Sequence, residues 1–126
     1  TLSEGNDLTI IATGEMVKVA VDTATELKTI GIACRVLNMH TIKPLDEGAI
    51  IKAAKETGKI ITIEEHSIFG GLGSAVAEVV VQNHPVPVRI LGIPDEPAIP
   101  GKSQEVLAYY GLCTDNVKKI ALQLLK

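Results

Sequence analysis

Four short apolar runs, each followed by a segment of helical periodicity, constrain the fold of this chain more than any single residue does. "DLTIIATG" (residues 7–14), "IACRVLNM" (32–39), "KIITIEE" (59–65) and "PVRILGI" (87–93) are rich in β-branched residues, the pattern of strands buried on both faces. Between them Val17, Ala20, Val21, Ala24 and Leu27 recur at three- and four-residue steps; Ile50, Ile51, Ala53 and Ala54 form a second set, and Ala75, Val76, Val79 and Val80 a third. Each set lies on one stripe of a helix. Gly31 and Gly58 supply left-handed stops, and Asp46, just after Pro44, is a natural N-cap. Strands alternating with helices imply right-handed crossovers and a mostly parallel sheet covered on both faces. Pro94, Pro97 and Pro100 then make an irregular surface connection. Two helices follow, capped by Ser103 and Thr114, the second docking through Val117, Ile120, Ala121 and Leu124.

At 126 residues the chain fits one domain, and at 46% hydrophobic and 21% charged it has an ordinary globular composition. A chain this long buries roughly two-thirds of its unfolded surface and needs no disulfide or metal to hold a core. The formal charge of -3 and the sparse aromatics, Phe69, Tyr109 and Tyr110, lack both the cationic footprint and the stacking platforms of nucleic-acid binders. Cys34 and Cys113 belong to no CxxC pair or Cys/His cluster and read as buried thiols. No apolar run approaches a membrane span, and a reducing cytoplasm is the expected setting. The opening "TLSEGND", without an initiator Met, suggests a domain taken from a longer polypeptide.

Chemistry concentrates in "EEHSIFGGLGS". Glu64, Glu65, His66, Gly70, Gly71, Gly73 and Ser74 fall near the carboxyl ends of the strands, where α/β sheets collect ligands and helix N-termini expose free N–H groups. A carboxylate beside a histidine can exchange protons, and glycines let backbone N–H groups approach an anion. The plainer reading is that Gly70 and Gly71 turn the chain, Gly73 lets a helix start close to the sheet, and the glutamates are solvated or paired. A dinucleotide fingerprint is opposed by Val76 at the position of its third glycine and by "EEHSIF" between strand and glycines, although Asp95 stands near the offset of a ribose-binding acid. Neither GxxxxGK[ST] nor GxSxG occurs. His40 reads as a loop histidine sharing an edge with His66, His84 as a helix terminator on the opposite edge, and Lys102, Lys118 and Lys119 as solvated positions.

In order and spacing, "EGNDLTIIATGEMV", "RVLNMHTIKPLD" and "IITIEEHSIFGGLGSAVAEVV" resemble the C-terminal domain of the transketolase family of thiamine diphosphate enzymes, over nearly the whole chain. His66 after Glu65 looks more like split, two-polypeptide transketolases than like 2-oxoacid dehydrogenase β chains or deoxyxylulose-phosphate synthases, which usually carry glycine there. The resemblance implies a three-layer α/β/α fold with a five-stranded mixed sheet. Its first, antiparallel edge strand would survive here only as residues 1–3. It further implies two-carbon ketol transfer between phosphorylated sugars in the pentose phosphate pathway. Thiamine diphosphate and magnesium would lie in the other domains, and this domain would supply no catalytic, cofactor or metal ligand while supporting a dimer or hetero-oligomer. Glu65, His66, Gly70, Gly71, Gly73 and Ser74 would then shape an interface loop. The alternatives are the C-terminal domain of another thiamine enzyme, or a regulatory module binding an anion or nucleotide at residues 70–74.

Overall fold

The computed structural model describes residues 3–39, 46–67, 71–93 and 111–126, and of residues 65–67 and 93 the backbone. The elements run β1 (Leu8–Ala12), α1 (Met16–Lys28), β2 (Cys34–Asn38), α2 (Glu47–Thr57), β3 (Ile60–Ser67), α3 (Leu72–Asn83), β4 (Val88–Ile93) and α4 (Thr114–Leu124). The four strands form one sheet in the order β2-β1-β3-β4, every pair parallel. The proline-rich connection and the helix expected after Ser103 lie outside the described residues, as do Pro44 and His40.

The period-two alternation of the strands sorts the core into two halves. Leu8, Ile10, Ala12, Val36, Ile61 and Ile63 face α1 and α4, whereas Ile11, Leu37 and Ile60 face α2 and α3. The result is three layers, helices on both sides of a parallel sheet. The buried stripe of α1 is Met16, Ala20, Thr23, Ala24 and Leu27, with Val17 and Val21 only half-buried. Thr23 is admitted because its hydroxyl donates to the Val19 carbonyl at 2.8 Å. Thr57 joins the buried face of α2 in the same way, donating to the Ala53 carbonyl at 2.8 Å and lying 2.9 Å from the Thr9 hydroxyl on β1. In α3 the expected Ala75 is half-buried, and Leu72 and Gly73 take the inward places.

Helix ends follow the sequence signals closely. Asp46 Oδ1 accepts from the Ala49 N–H at 3.1 Å at the start of α2, and Gly58 closes that helix at φ 71°. Gly31, at φ 84°, provides the turn out of α1. At the start of α4 the cap position is Cys113 rather than Thr114, and its side chain makes no capping bond. Cys113 is also half-exposed, so only Cys34 is the buried thiol expected of both.

Residues 3–7 guard the outer edge of β2. Ser3 forms an antiparallel bridge with Val36 and its hydroxyl donates to the Cys34 carbonyl at 3.1 Å. Arg35, buried except for 6% of its surface, donates from Nε to the Gly5 carbonyl and from Nη2 to Asn6 Oδ1, both at 3.1 Å, and pairs with Glu56 Oε1 at 2.7 Å. Its charge is thus buried among acceptors.

Candidate functional site

The sheet order makes β1 and β3 neighbours whose following helices, α1 and α3, cover opposite faces. That switch point is where such sheets open a crevice beyond the carboxyl ends of their strands. β3 reaches further into this region than its apolar run indicated, to Ser67. From Ile63 to Ser67 it advances four residues while β4 advances two, from Leu91 to Ile93. The backbone of Glu64, Glu65 and His66 therefore forms a bulge, the device by which strands redirect side chains near functional edges.

Glu64 lies at the centre of this edge. It is 1% exposed, and its Oε1 accepts from the Gly73 N–H at 3.4 Å, the long end of a hydrogen bond. Gly71, the residue before α3, has no side chain to cap the helix. The carboxylate from β3 takes that role, placing negative charge where the helix dipole is positive. Both glycines are demanded by close approach of neighbouring groups rather than by unusual dihedrals. A Cβ on Gly71 would overlap the Glu64 carboxylate, and one on Gly73 would overlap Ile90 and come within 2.8 Å of Thr62 Oγ1. The expectation that Gly73 brings the helix close to the sheet holds at Thr62 and Ile90. The expectation that the glutamates are solvated or paired fails for Glu64, which is buried and caps a helix. Its Oε2 and the Thr62 hydroxyl have no hydrogen-bond partner among the described residues.

The structure thus brings Glu64, Gly71 and Gly73 together, with Ser74 half-buried in the first turn of α3. Glu65 and His66 occupy the bulge; Gly70 and His40 lie outside the described residues. His84 ends α3 at the other edge, as expected, and Val76 is fully buried in the core. Lys118 is not simply solvated: it lies 3.7 Å from Glu26 Oε1, joining α4 to α1. A shallow groove along α4, lined by Asp115, Lys118, Lys119, Leu122, Gln123 and Lys126, contains no buried residue. Burial pushes the Cys34 thiol up to about 12, with a smaller opposing effect from its hydrogen bond with the Ile10 backbone, which makes it a poor nucleophile.

The Glu64 carboxylate is seated on the Gly73 N–H in the first turn of α3. Among the described residues no group of three His, Cys, Asp or Glu side chains could hold a metal ion.

Comparison with known proteins gives these features a family. The model of the transketolase C-terminal domain matches residues 1–117. The chain is 55% identical over its full length to an apulose-4-phosphate transketolase subunit of Phocaeicola vulgatus, of which it covers 40%. It is 43% identical over 98% of its length to the 1-deoxy-D-xylulose-5-phosphate synthase of Heliobacterium modesticaldum, covering 19% of that enzyme. Among solved structures, a split-gene transketolase described as an inactive β4 tetramer superposes with a TM-score of 0.90 at 42% identity, over 98% of this chain and 41% of that one. The chain accordingly spans about two-fifths of the length of the transketolase subunit it matches. On the strength of a match to 117 consecutive residues, the chain belongs to the transketolase C-terminal domain family.

Proposed function

We propose that all 126 residues form one domain of a split transketolase and that it supports two-carbon ketol transfer between phosphorylated sugars without performing the chemistry. The observation that carries this reading is the Glu64 carboxylate on the N-terminus of α3. Gly71 makes room for this buried carboxylate, and the Gly73 N–H donates to it. Thiamine diphosphate and magnesium are then held by the remaining portion of the enzyme, in the cytoplasm, and this domain contributes contacts between subunits. A subunit relative that acts on a sugar phosphate supports the substrate class, and the inactive tetramer of a split-gene relative supports dependence on a second portion. Glu65, His66, Gly70, Gly71, Gly73 and Ser74, in the stretch of sequence from the end of β3 into α3, contribute to a domain or subunit interface. The antiparallel bridge of Ser3 to Val36 supports a fifth strand beside β2, which makes the sheet mixed.

The test is a ketol-transfer assay with thiamine diphosphate and magnesium, run on this chain alone, on the thiamine-binding portion alone, and on the mixture. Activity in the mixture only is the expected result. Turnover by this chain alone would overturn the supporting role. Formation of a deoxyxylulose phosphate in place of ketol transfer would move the chain to the other thiamine enzymes.

A further inference from the structure

Two buried oxygens beneath the start of α3 have no partner among the described residues: Oε2 of Glu64 and the hydroxyl of Thr62. Both residues are closed to solvent, at 1% and 0% exposed. A buried polar atom left unpaired is costly, so each exception calls for a partner such as a bound water or ion.

The two atoms border the same stretch of the helix–strand contact. Thr62 and Glu64 are two residues apart on β3 and project from one face of the sheet, toward α3. Oε2 lies 2.9 Å from where a Cβ on Gly71 would stand, and Thr62 Oγ1 lies 2.8 Å from where one on Gly73 would stand. Neither oxygen bonds to the other. Alternate residues of a strand repeat at about 6.6 Å, whereas one O–H···O bond spans about 2.8 Å and two in series about 5.6 Å. A single small molecule between the side chains matches that separation better than a direct bond does.

Donor and acceptor chemistry selects the molecule. A carboxylate oxygen only accepts, whereas a threonine hydroxyl also carries a proton to donate. A species that donates to Oε2 and accepts from Oγ1 satisfies both, and water does so. A metal ion or an ammonium group offers no acceptor to the hydroxyl proton, and the positive end of α3 opposes a cation there. The strand supplies further polar atoms. β1 pairs with β3 only as far as Ile63, and β4 rejoins it at Ser67. Between those points the backbone of residues 64–66 stands outside the paired register with both neighbours, the setting in which a buried water finds the third of its usual three or so bonds.

We propose that one water molecule is bound beneath the first turn of α3, bridging Thr62 Oγ1 to Glu64 Oε2. It is enclosed with the carboxylate, on the oxygen that does not face the Gly73 N–H, and is not shared with bulk solvent. Thr62 thereby becomes a positioning residue for the carboxylate that caps α3. The site lies within the core of this domain and does not depend on the split-transketolase reading.

The experiment joins a crystal structure of the full-length subunit, at a resolution that orders internal waters, to amide hydrogen exchange of the isosteric variant Thr62→Val. The map is expected to show one water within about 3.2 Å of both oxygens. Thr62→Val deprives that water of a partner, so amides of β3 and of the first turn of α3 are expected to exchange about fivefold faster, the equivalent of one hydrogen bond. An unpaired hydroxyl predicts the opposite sign, because a methyl in its place removes a buried unsatisfied group. Unchanged or slower exchange in Thr62→Val would therefore overturn the proposal. So would a map with a protein donor between the two side chains, a cation ringed there by six or more oxygens, a direct bond between them, or nothing at all. Each of these failures leaves the ketol-transfer assay, and the reading that it tests, untouched.

Discussion

Helices α2 and α3 begin in opposite ways. α2 is capped by the residue immediately before it, Asp46, exposed to solvent and bonded to the N–H three residues on. α3 is preceded by a glycine and is capped by Glu64, a carboxylate from the strand underneath, sealed from water. The first arrangement is local and replaceable. The second joins strand and helix into one unit, because the space for the carboxylate exists only while Gly71 lacks a side chain, and Gly73 lets the helix lie against Thr62 and Ile90. The interior charge costs desolvation free energy, offset in part by the helix dipole and the Gly73 N–H.

The largest effect expected from breaking this contrast comes from Glu64→Ala. It removes a hydrogen bond to a charged group, admits no water to the orphaned N–H, and leaves a cavity, for a loss of about 3 kcal/mol. Urea unfolding read by circular dichroism measures it, with an unchanged m-value indicating that the native state stays compact. A loss no greater than that of an exposed cap would mean that Glu64 is a passenger in the core.

Gly71→Ala comes next, at about 2 kcal/mol, the usual cost of overpacking a filled site. Its cause can be isolated, since the added Cβ meets the Glu64 carboxylate. Combined with Glu64→Ala, the substitution should cost less than half as much, giving a coupling of about 1 kcal/mol in a double-mutant cycle. Simple additivity would show that the turn needs glycine for some reason other than the carboxylate.

The same contrast explains what could be read from the sequence. The order of strands and helices, the three layers and the cap at Asp46 were legible because each depends on periodicity or on a neighbour within a few residues. The buried thiols were half legible: Cys34 lies in a strand, but Cys113 sits at a helix start, where exposure depends on tertiary packing. Thr23 and Thr57 were missed because a hydroxyl that bonds within its own helix behaves as an apolar residue to the core. The bulge in β3 left its trace in the strand's polar end, "EEHS", which reads equally well as a loop. Glu64 was legible at the right edge but read as solvated or paired, since charge alone favours exposure. The available clue was the pairing of a strand-end glutamate with a helix start that lacks any Ser, Thr, Asp or Asn cap.

Asp46→Ala is expected to cost about 1 kcal/mol, and Asp46→Ser to recover most of it, since a serine hydroxyl can accept from the same N–H. Thermal unfolding resolves the pair. A loss approaching that of Glu64→Ala would erase the distinction between the two helix starts.

The smallest effect tests whether burial or separation along the chain makes the Glu64 contact costly to lose. Lys118 and Glu26 are far more remote in sequence than Glu64 and Gly73, and they join α4 to α1 at 3.7 Å, but 32% and 45% of their side-chain surfaces remain in water. Solvent screening and the entropy of two long side chains leave such a pair worth roughly 0 to 1 kcal/mol. Lys118→Ala should therefore change stability by no more than about 0.5 kcal/mol, and added salt should shrink that difference further. Chemical denaturation in urea, which leaves ionic strength free to vary, measures both. A loss comparable to that of Glu64→Ala would mean that bridging distant elements is itself what stabilises this fold. A negligible one assigns the difference to desolvation: a contact that water can replace is dispensable however far it reaches, and one sealed beneath a helix is not.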